Sequence, residues 1–148
     1  MNLKRFSFVI ILFFIFASDF SLSQEQGGKT LYARLGGYDA IAAVTDNFIG
    51  RLINDPQLTR FFAGHSDQSK MKIRQLIVDQ ICYVTGGPCV YTGRDMKTSH
   101  AGMGISESDW EITVKHFVDT LDSFKVPEKE KNELLAIVGS LKKDIVEK

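Results

Sequence analysis

The chain has no excess of charge of either sign, because its 18 lysine and arginine residues are matched by 18 aspartate and glutamate residues. Nucleic-acid-binding domains usually carry a basic surplus, so this balance argues against a nucleic-acid partner. The sequence also lacks internal repeats and low-complexity tracts. With 148 residues, 44% of them hydrophobic, the chain is long enough for one globular domain with its own core.

The chain has one long apolar run, and it lies at the start. Two basic residues, Lys4 and Arg5, precede this run over residues 6–16, and small residues follow it. A membrane-spanning helix needs about 20 apolar residues, which this run does not reach. The order of basic, apolar and small residues is typical of a secretory signal. We therefore expect residues 1–23 to be a cleaved signal peptide and the protein to be exported, with a periplasmic location; an uncleaved membrane anchor is the alternative.

The rest of the chain has a polar lead-in over residues 24–29 and a single domain over residues 30–148. No part of the domain alternates apolar and polar residues in the way that paired β-strands do. Four longer segments instead repeat apolar residues at helical spacing. The first covers residues 38–54 and the second covers residues 67–85. The third carries apolar residues as far as Leu121, and the fourth runs from Pro127 to Ile145. Four amphipathic helices predict an all-α sandwich or bundle.

The start of the third helix is marked by two candidate capping residues. Ser106 and Ser108 are each followed three residues later by an acid, Asp109 or Glu111. This spacing is typical of a capping box, so we expect the helix to begin at one of the two serines.

A glycine-rich connector over residues 86–105 joins the second and third helices. Two glycines and a proline at residues 86–88 are expected to end the second helix, because glycine adopts left-handed conformations without cost and proline prevents the helix from resuming. Met96 and His100 are four residues apart, so on one helical turn their side chains point the same way. The glycines within residues 102–104 then end that turn. The connector therefore presents the His100 imidazole on a short, rigid helical turn.

Several short motifs occur along the chain in a fixed order and spacing. They are Leu31-Tyr32, Gly36-Gly37, Phe61-Phe62, Gly86-Gly87-Pro88, Tyr91-Thr92-Gly93, Met96-Lys97, His100, Gly102 and Gly104. Together they resemble the truncated haemoglobins, and most closely their first group, without gaps from about Thr30 to the end of the chain. The resemblance implies a truncated globin-like helical sandwich of four main helices plus short helices.

The resemblance also implies that His100 is the axial ligand of haem iron. From the residues alone, a single histidine beside an apolar face is more often a hydrogen-bonded structural residue, so the iron-binding role comes from the family and not from the spacing. His65 and His116 are interpreted as structural or surface residues.

Haem needs one strong axial donor and dry apolar walls around a large flat ring. Phe62 matches the phenylalanine that packs on haem in this family. No CxxCH motif occurs, so we expect haem b held without covalent bonds. Lys97 either pairs with a haem propionate or is a solvated surface lysine. The residues expected to contact the haem are Phe48, Phe62, Ile77, Ile81, Tyr91, Met96, Lys97, His100, Trp110 and Phe117.

The distal side of the expected pocket departs from the family pattern. First-group members usually place tyrosine or histidine in the first long helix and a polar residue in the second, whereas this chain has Ile49, Ile73, Leu76 and Ile77 at the matching positions. A hydrogen-bond donor to bound dioxygen contributes about 1.5 kcal/mol or more in a dry pocket. We therefore expect dioxygen to be held less firmly than carbon monoxide or nitric oxide, and ferrous iron to stay five-coordinate. Gln80 lies two helical turns after Ile73 and either reaches the ligand or meets solvent.

Cys82 and Cys89 are the only cysteines. In an exported protein they are candidates for a disulfide that clips the end of the second helix to the connector leading to His100. The alternative is that Cys82 is an ordinary buried thiol.

The function implied is reversible binding of a diatomic gas: oxygen, nitric oxide or carbon monoxide. The family precedent also includes nitric oxide dioxygenation, which requires a stable dioxygen complex and an electron-donor protein. A haem-free helical interaction domain is the alternative of a different class. The apolar distal side favours gas binding over catalysis.

Overall fold

The computed structural model describes residues 28–148, and within them it contains six α-helices, one 3₁₀ turn and no β-strand. The elements are α1 (Leu31–Arg34), α2 (Gly37–Asn54), the 3₁₀ turn (Thr59–Phe61), α3 (Asp67–Val84), α4 (Met96–His100), α5 (Glu107–Ser123) and α6 (Glu128–Ile145). The all-α prediction is confirmed, and the four long helices begin and end close to their predicted positions. The predicted signal peptide over residues 1–23 lies outside the described residues. None of the helices in the described part of the chain is long and apolar enough to cross a lipid bilayer.

The helix boundaries follow from local capping chemistry. Ser106, and not Ser108, caps α5: its hydroxyl accepts a hydrogen bond from the Asp109 amide, and the Asp109 carboxylate accepts one from the Ser106 amide. This reciprocal arrangement is the predicted capping box. At the end of α3, Gly86 has a φ of 83°, a left-handed conformation that glycine adopts without strain. The chain therefore turns away from α3 where the sequence predicts it.

The helix that packs against the most elements is α2. It packs against α1, α3 and α5, while α6 packs against α5 and α4. The main core cluster contains the buried residues Leu31, Phe117, Leu121 and Leu134, and the ring of Phe48 meets Phe117 edge-on with centroids 5.2 Å apart. Burying a side chain of this size stabilises the fold by about 1.5–3 kcal/mol. The cluster therefore joins α5 to α1, α2 and α6.

A second cluster joins α2 to α3. Ile41, Val78 and Cys82 are buried there, and Val78 and Cys82 have no solvent exposure. Among the described helices, α4 makes its extensive contacts with α6 and not with α3. The helix that carries His100 is therefore held separately from the helix that carries the predicted distal residues.

A buried carboxylate ties the 3₁₀ turn to the start of α5. Asp109 is 1% exposed, and its oxygens accept hydrogen bonds from Gln57, Ser106 and Arg60, at 2.8 Å from Gln57 Nε2 and 2.7 Å from an Arg60 guanidinium nitrogen. Burial alone would raise the pKa of this carboxyl, but the hydrogen bonds outweigh burial and hold the pKa well below its ordinary value. The network fixes the turn that presents Phe61 and Phe62.

Candidate functional site

The short helix α4 presents His100. Its first turn is capped by Asp95, whose carboxylate accepts hydrogen bonds from the amide and the hydroxyl of Thr98, each at 2.8 Å. These hydrogen bonds lower the pKa of the Asp95 carboxyl. A helix of five residues is too short to be stable by itself, so its position depends on its ends and on its packing against α6.

The imidazole of His100 is oriented by its own helix. Its Nδ1 atom lies 2.8 Å from the carbonyl oxygen of Met96. A carbonyl oxygen only accepts hydrogen bonds, so Nδ1 carries the proton and donates it, which leaves Nε2 without a hydrogen in the neutral ring. Histidines that bind metals are held in this way, with one nitrogen donating to a carbonyl and the other directed at the metal. The donor chemistry of half-buried His100 fits an iron ligand.

The apolar residues predicted to contact haem are mostly only partly covered by protein. Two of them are buried: Trp110, and Phe117 in the main core cluster. Lys97 is exposed on α4. Each of these partly covered side chains leaves apolar surface on which an apolar ligand would complete its burial. The half-buried members are Phe48, Phe62, Ile77, Ile81, Tyr91 and Met96.

Tyr91 closes the loop that leads into α4. Its hydroxyl donates to the carbonyl oxygen of Arg94 at 2.6 Å, and burial, together with the negative charge of Asp95, raises the pKa of this phenol. The ring lies directly over Gly93: a Cβ atom there would fall within 2.3 Å of the ring. Only glycine therefore permits this packing, which explains the Tyr-Thr-Gly sequence before the helix.

The predicted distal residues are apolar and partly buried. Ile49 on α2 and Ile73, Leu76 and Ile77 on α3 are all half-buried, and none of these side chains can donate a hydrogen bond. Gln80, on the same helix, is also half-buried. These four apolar side chains do not supply the polar contacts that first-group members usually have.

The other two histidines have structural or surface positions, as predicted. Nε2 of His116 lies 2.8 Å from a carboxylate oxygen of Asp55, and Asp55 also accepts hydrogen bonds from the amides of Gln57 and Leu58. The hydrogen bond from His116 is the main cause that lowers the pKa of the Asp55 carboxyl. His65 lies exposed in the turn before α3.

The structure brings the two cysteines together. Cys82 and Cys89 are joined by a disulfide, with their Cα atoms 5.8 Å apart. Gly87 lies inside this loop, and a Cβ atom there would come within 2.5 Å of the Tyr32 ring and 2.7 Å of the Cys82 sulfur. The end of α3 and the connector are thus packed too closely for any residue but glycine at position 87.

Sequence reasoning missed Glu147, which lies next to the site. Its carboxylate accepts hydrogen bonds from the amides of Gly102 at 2.6 Å and Gly104 at 2.9 Å, in the turn directly after His100. The pairs are separated by 45 and 43 residues along the chain, so no local spacing connects them. Only the packing of α6 against α4 brings them into contact.

Comparison with known proteins agrees with this geometry. Residues 30–147 match the bacterial-like globin family. The chain is similar to a group 1 truncated haemoglobin from Mycolicibacterium paratuberculosis, with 34% identity over 116 residues that cover 78% of this chain and 83% of the relative. It is also similar to one from Chlamydomonas moewusii, with 28% identity covering 79% of this chain and 68% of the relative.

Two solved structures share the fold. Truncated haemoglobin from Tetrahymena pyriformis in its Fe(III) form superposes with a TM-score of 0.74 at 25% identity, covering 81% of this chain and 100% of that one. The 2/2 haemoglobin from Synechococcus, in the cyanomet state and with covalently attached haem, superposes with a TM-score of 0.72 at 27% identity, covering 80% and 98%.

Proposed function

The chain belongs to the bacterial-like globin family and binds a diatomic gas through haem, and on that premise we propose that His100 is the axial ligand of the iron. The observation that carries the proposal is the 2.8 Å contact between His100 Nδ1 and the Met96 carbonyl oxygen, which leaves Nε2 free to bind. When bound, haem supplies an iron with an open coordination position for the gas.

We further propose that the haem is of the b type and is held without covalent bonds. The sequence contains only two cysteines, and both are engaged in the disulfide, which supports the absence of thioether links. The covalent attachment seen in the Synechococcus protein is a property of that protein. Extraction into acidic butanone tests this proposal directly, because non-covalent haem moves into the organic layer and covalent haem stays with the protein.

The chain's own residues favour reversible binding over catalysis. Ile49, Ile73, Leu76 and Ile77 are apolar and half-buried, and they offer no hydrogen-bond donor. Dioxygen gains more from such a donor than carbon monoxide or nitric oxide does, so its complex is the one weakened by this pocket. Nitric oxide dioxygenation depends on a stable dioxygen complex. The pocket therefore suits binding of nitric oxide or carbon monoxide better than turnover.

A haem titration with matched histidine variants tests the proposal. Purified protein is titrated with haemin and followed by its Soret absorbance, in parallel with His100→Ala and His65→Ala. We expect wild-type protein and His65→Ala to bind one haem each with the same spectrum, and His100→Ala to lose the histidine-ligated spectrum. An unchanged spectrum in His100→Ala would remove His100 from the role of ligand.

We also propose export with cleavage of residues 1–23. The basic, apolar and small residues of this segment support the proposal, as does the disulfide, since such bonds persist in oxidising compartments. Protein recovered from cells that express the full chain should begin at Gln24 by intact mass and be found outside the cytoplasm. A mature chain that retains Met1 would contradict cleavage.

A further inference from the structure

The segment that follows α6 is bound to the turn that follows His100. We call residues 146–148 the strap and residues 101–105 the proximal turn. The Glu147 carboxylate accepts hydrogen bonds from the amides of Gly102 at 2.6 Å and Gly104 at 2.9 Å, one on each oxygen. The Glu147 amide donates to the Ile105 carbonyl oxygen at 2.8 Å. Side chain and backbone of one residue therefore hold the proximal turn at three points.

The conformation of the proximal turn explains why it needs this partner. Gly102 has a φ of 80° and Gly104 a φ of 66°, so both are left-handed, and each amide donates to a Glu147 oxygen and not to a carbonyl of α4. Both hydrogen bonds lie at the exposed surface, so without Glu147 these amides would bond to water, which cannot hold the turn in place. A carboxylate has two oxygens and a full negative charge, so a single Glu147 satisfies both amides with charge-assisted hydrogen bonds.

The strap also contacts the start of α5. The Glu107 amide donates to the Lys148 carbonyl oxygen at 3.0 Å, and the Lys148 amide donates to the Ile105 carbonyl oxygen at 3.3 Å. Ile105 itself is buried. The turn is thus anchored at its end as well as at its two glycines.

α4 cannot set the position of His100 by itself. It has five residues, fewer than a stable isolated helix requires. At its start the Asp95 carboxylate accepts from Thr98, and at its end the Met103 amide donates to the His100 carbonyl oxygen at 3.1 Å. That last contact belongs to the proximal turn, so whatever holds the turn also holds the end of the helix. Glu147 is the side chain that does so.

We propose that Glu147 is a positioning residue for the haem site: by holding the proximal turn, it fixes the distance and angle at which the His100 imidazole meets the iron. This inference rests on the proposed role of His100 as axial ligand. It assigns a role to a residue outside the pocket, which acts through Gly102 and Gly104 and not by contact with haem.

The test compares the ferrous protein with three variants. Glu147→Ala removes both acceptors, Glu147→Gln keeps one acceptor oxygen, and Glu111→Ala is the matched control, because Glu111 is an exposed glutamate of α5. The readouts are the iron–histidine stretching band in the resonance Raman spectrum of the five-coordinate ferrous form and the rate of haem transfer to excess apomyoglobin. A residue that only stabilises the fold would not move the stretching band.

We expect Glu147→Ala to shift and broaden the iron–histidine band and to lose haem about tenfold faster, with Glu147→Gln intermediate and Glu111→Ala unchanged. Far-ultraviolet circular dichroism checks that each variant is folded. If Glu147→Ala does not fold, Glu147→Gln and the hydrogen exchange of the Gly102 and Gly104 amides in wild-type holoprotein replace it, since the proposal requires both amides to be protected.

Different results would contradict this inference and the proposed role of His100. An iron–histidine band in Glu147→Ala and Glu147→Gln identical to that of wild type, with haem loss within twofold, would overturn the positioning role and leave His100 as ligand. Absence of the band from wild-type ferrous protein would overturn the ligand assignment and the positioning role with it.

Discussion

Nδ1 of His100 lies 2.8 Å from the carbonyl oxygen of Met96, one helical turn earlier in the same five-residue helix. This contact fixes the tautomer and limits rotation of the ring. Both effects favour a bond from Nε2 to a metal. The hydrogen bond needs no distant residue, so the ring orientation is a property of the short helix, and the position of the helix is the property that the surrounding fold must supply.

The first prediction concerns stability with and without haem. Haem that binds only the native state raises stability by mass action, by about 4 kcal/mol when its free concentration is a thousand times its dissociation constant. We expect the melting temperature of wild-type protein and His65→Ala to rise with added haem and that of His100→Ala to rise much less. Differential scanning calorimetry at several haem concentrations measures this. A melting temperature that does not rise with haem in either wild type or His100→Ala would favour a haem-free interaction domain.

A second prediction concerns the distal pocket. Ile49→Tyr adds a hydroxyl donor at the position where first-group members often have one, and Ile49→Phe is the matched control without the hydroxyl. A donor worth about 1.5 kcal/mol slows dioxygen dissociation about tenfold. We expect this slowing in Ile49→Tyr alone, with little change in carbon monoxide dissociation, as measured by stopped-flow ligand replacement. Equal dioxygen dissociation rates in the two variants would show that residue 49 does not face the ligand.

The third prediction concerns the disulfide between Cys82 and Cys89. The purified protein should take up an alkylating reagent at two sites only after reduction, as seen by intact mass. Closing so short a loop restricts the unfolded chain, so Cys82→Ser with Cys89→Ser should lower the free energy of unfolding by about 2 kcal/mol. Urea unfolding of the two holoproteins measures this difference. Two reactive thiols without reductant would contradict the disulfide.

The fourth prediction concerns acid stability. The pKa of Asp109 is lowered in the folded protein, so its contribution to stability is complete above the unfolded-state pKa of about 3.9 and is lost as pH falls below it towards the folded value. Asp109→Asn should therefore be less stable than wild type by about 2 kcal/mol at pH 7. The difference should shrink below about pH 4.

Urea unfolding of the two carbon monoxide-bound proteins at several pH values measures the Asp109 contribution. The informative quantity is the difference in the free energy of unfolding between the two proteins at each pH. Asp39→Asn serves as the control, because Asp39 is an exposed aspartate of α2. A difference between wild type and Asp109→Asn that is constant with pH would contradict the account.

Much of the fold can be predicted from the sequence, because interactions between residues close together in the chain determine it. The apolar stripes predict the four long helices, the Ser106 and Asp109 spacing predicts the capping box, and the glycine pair after α3 predicts the turn at Gly86. The five-residue helix is also predicted, from the spacing of Met96 and His100. In each case the interacting groups lie within a few residues of one another.

The contacts that hold the site in place cannot be predicted from the sequence in the same way. Glu147 meets Gly102 across 45 residues, and Arg60 meets Asp109 across 49. The sequence indicates a structural or surface role for His116, but not its partner Asp55, which lies 61 residues away. Such pairs depend on how helices pack, and charged residues on a helix surface give no local sign of which one will find a partner.

The optical spectrum of the ferrous protein tests the central claim most directly. Wild-type protein and His100→Ala are loaded with haem, reduced anaerobically, and recorded before and after addition of carbon monoxide. We predict a five-coordinate ferrous spectrum in wild type that converts to a single carbon monoxide complex, and its loss in His100→Ala. A six-coordinate bis-histidine spectrum in wild type, or no haem absorbance after reconstitution, would contradict the claim.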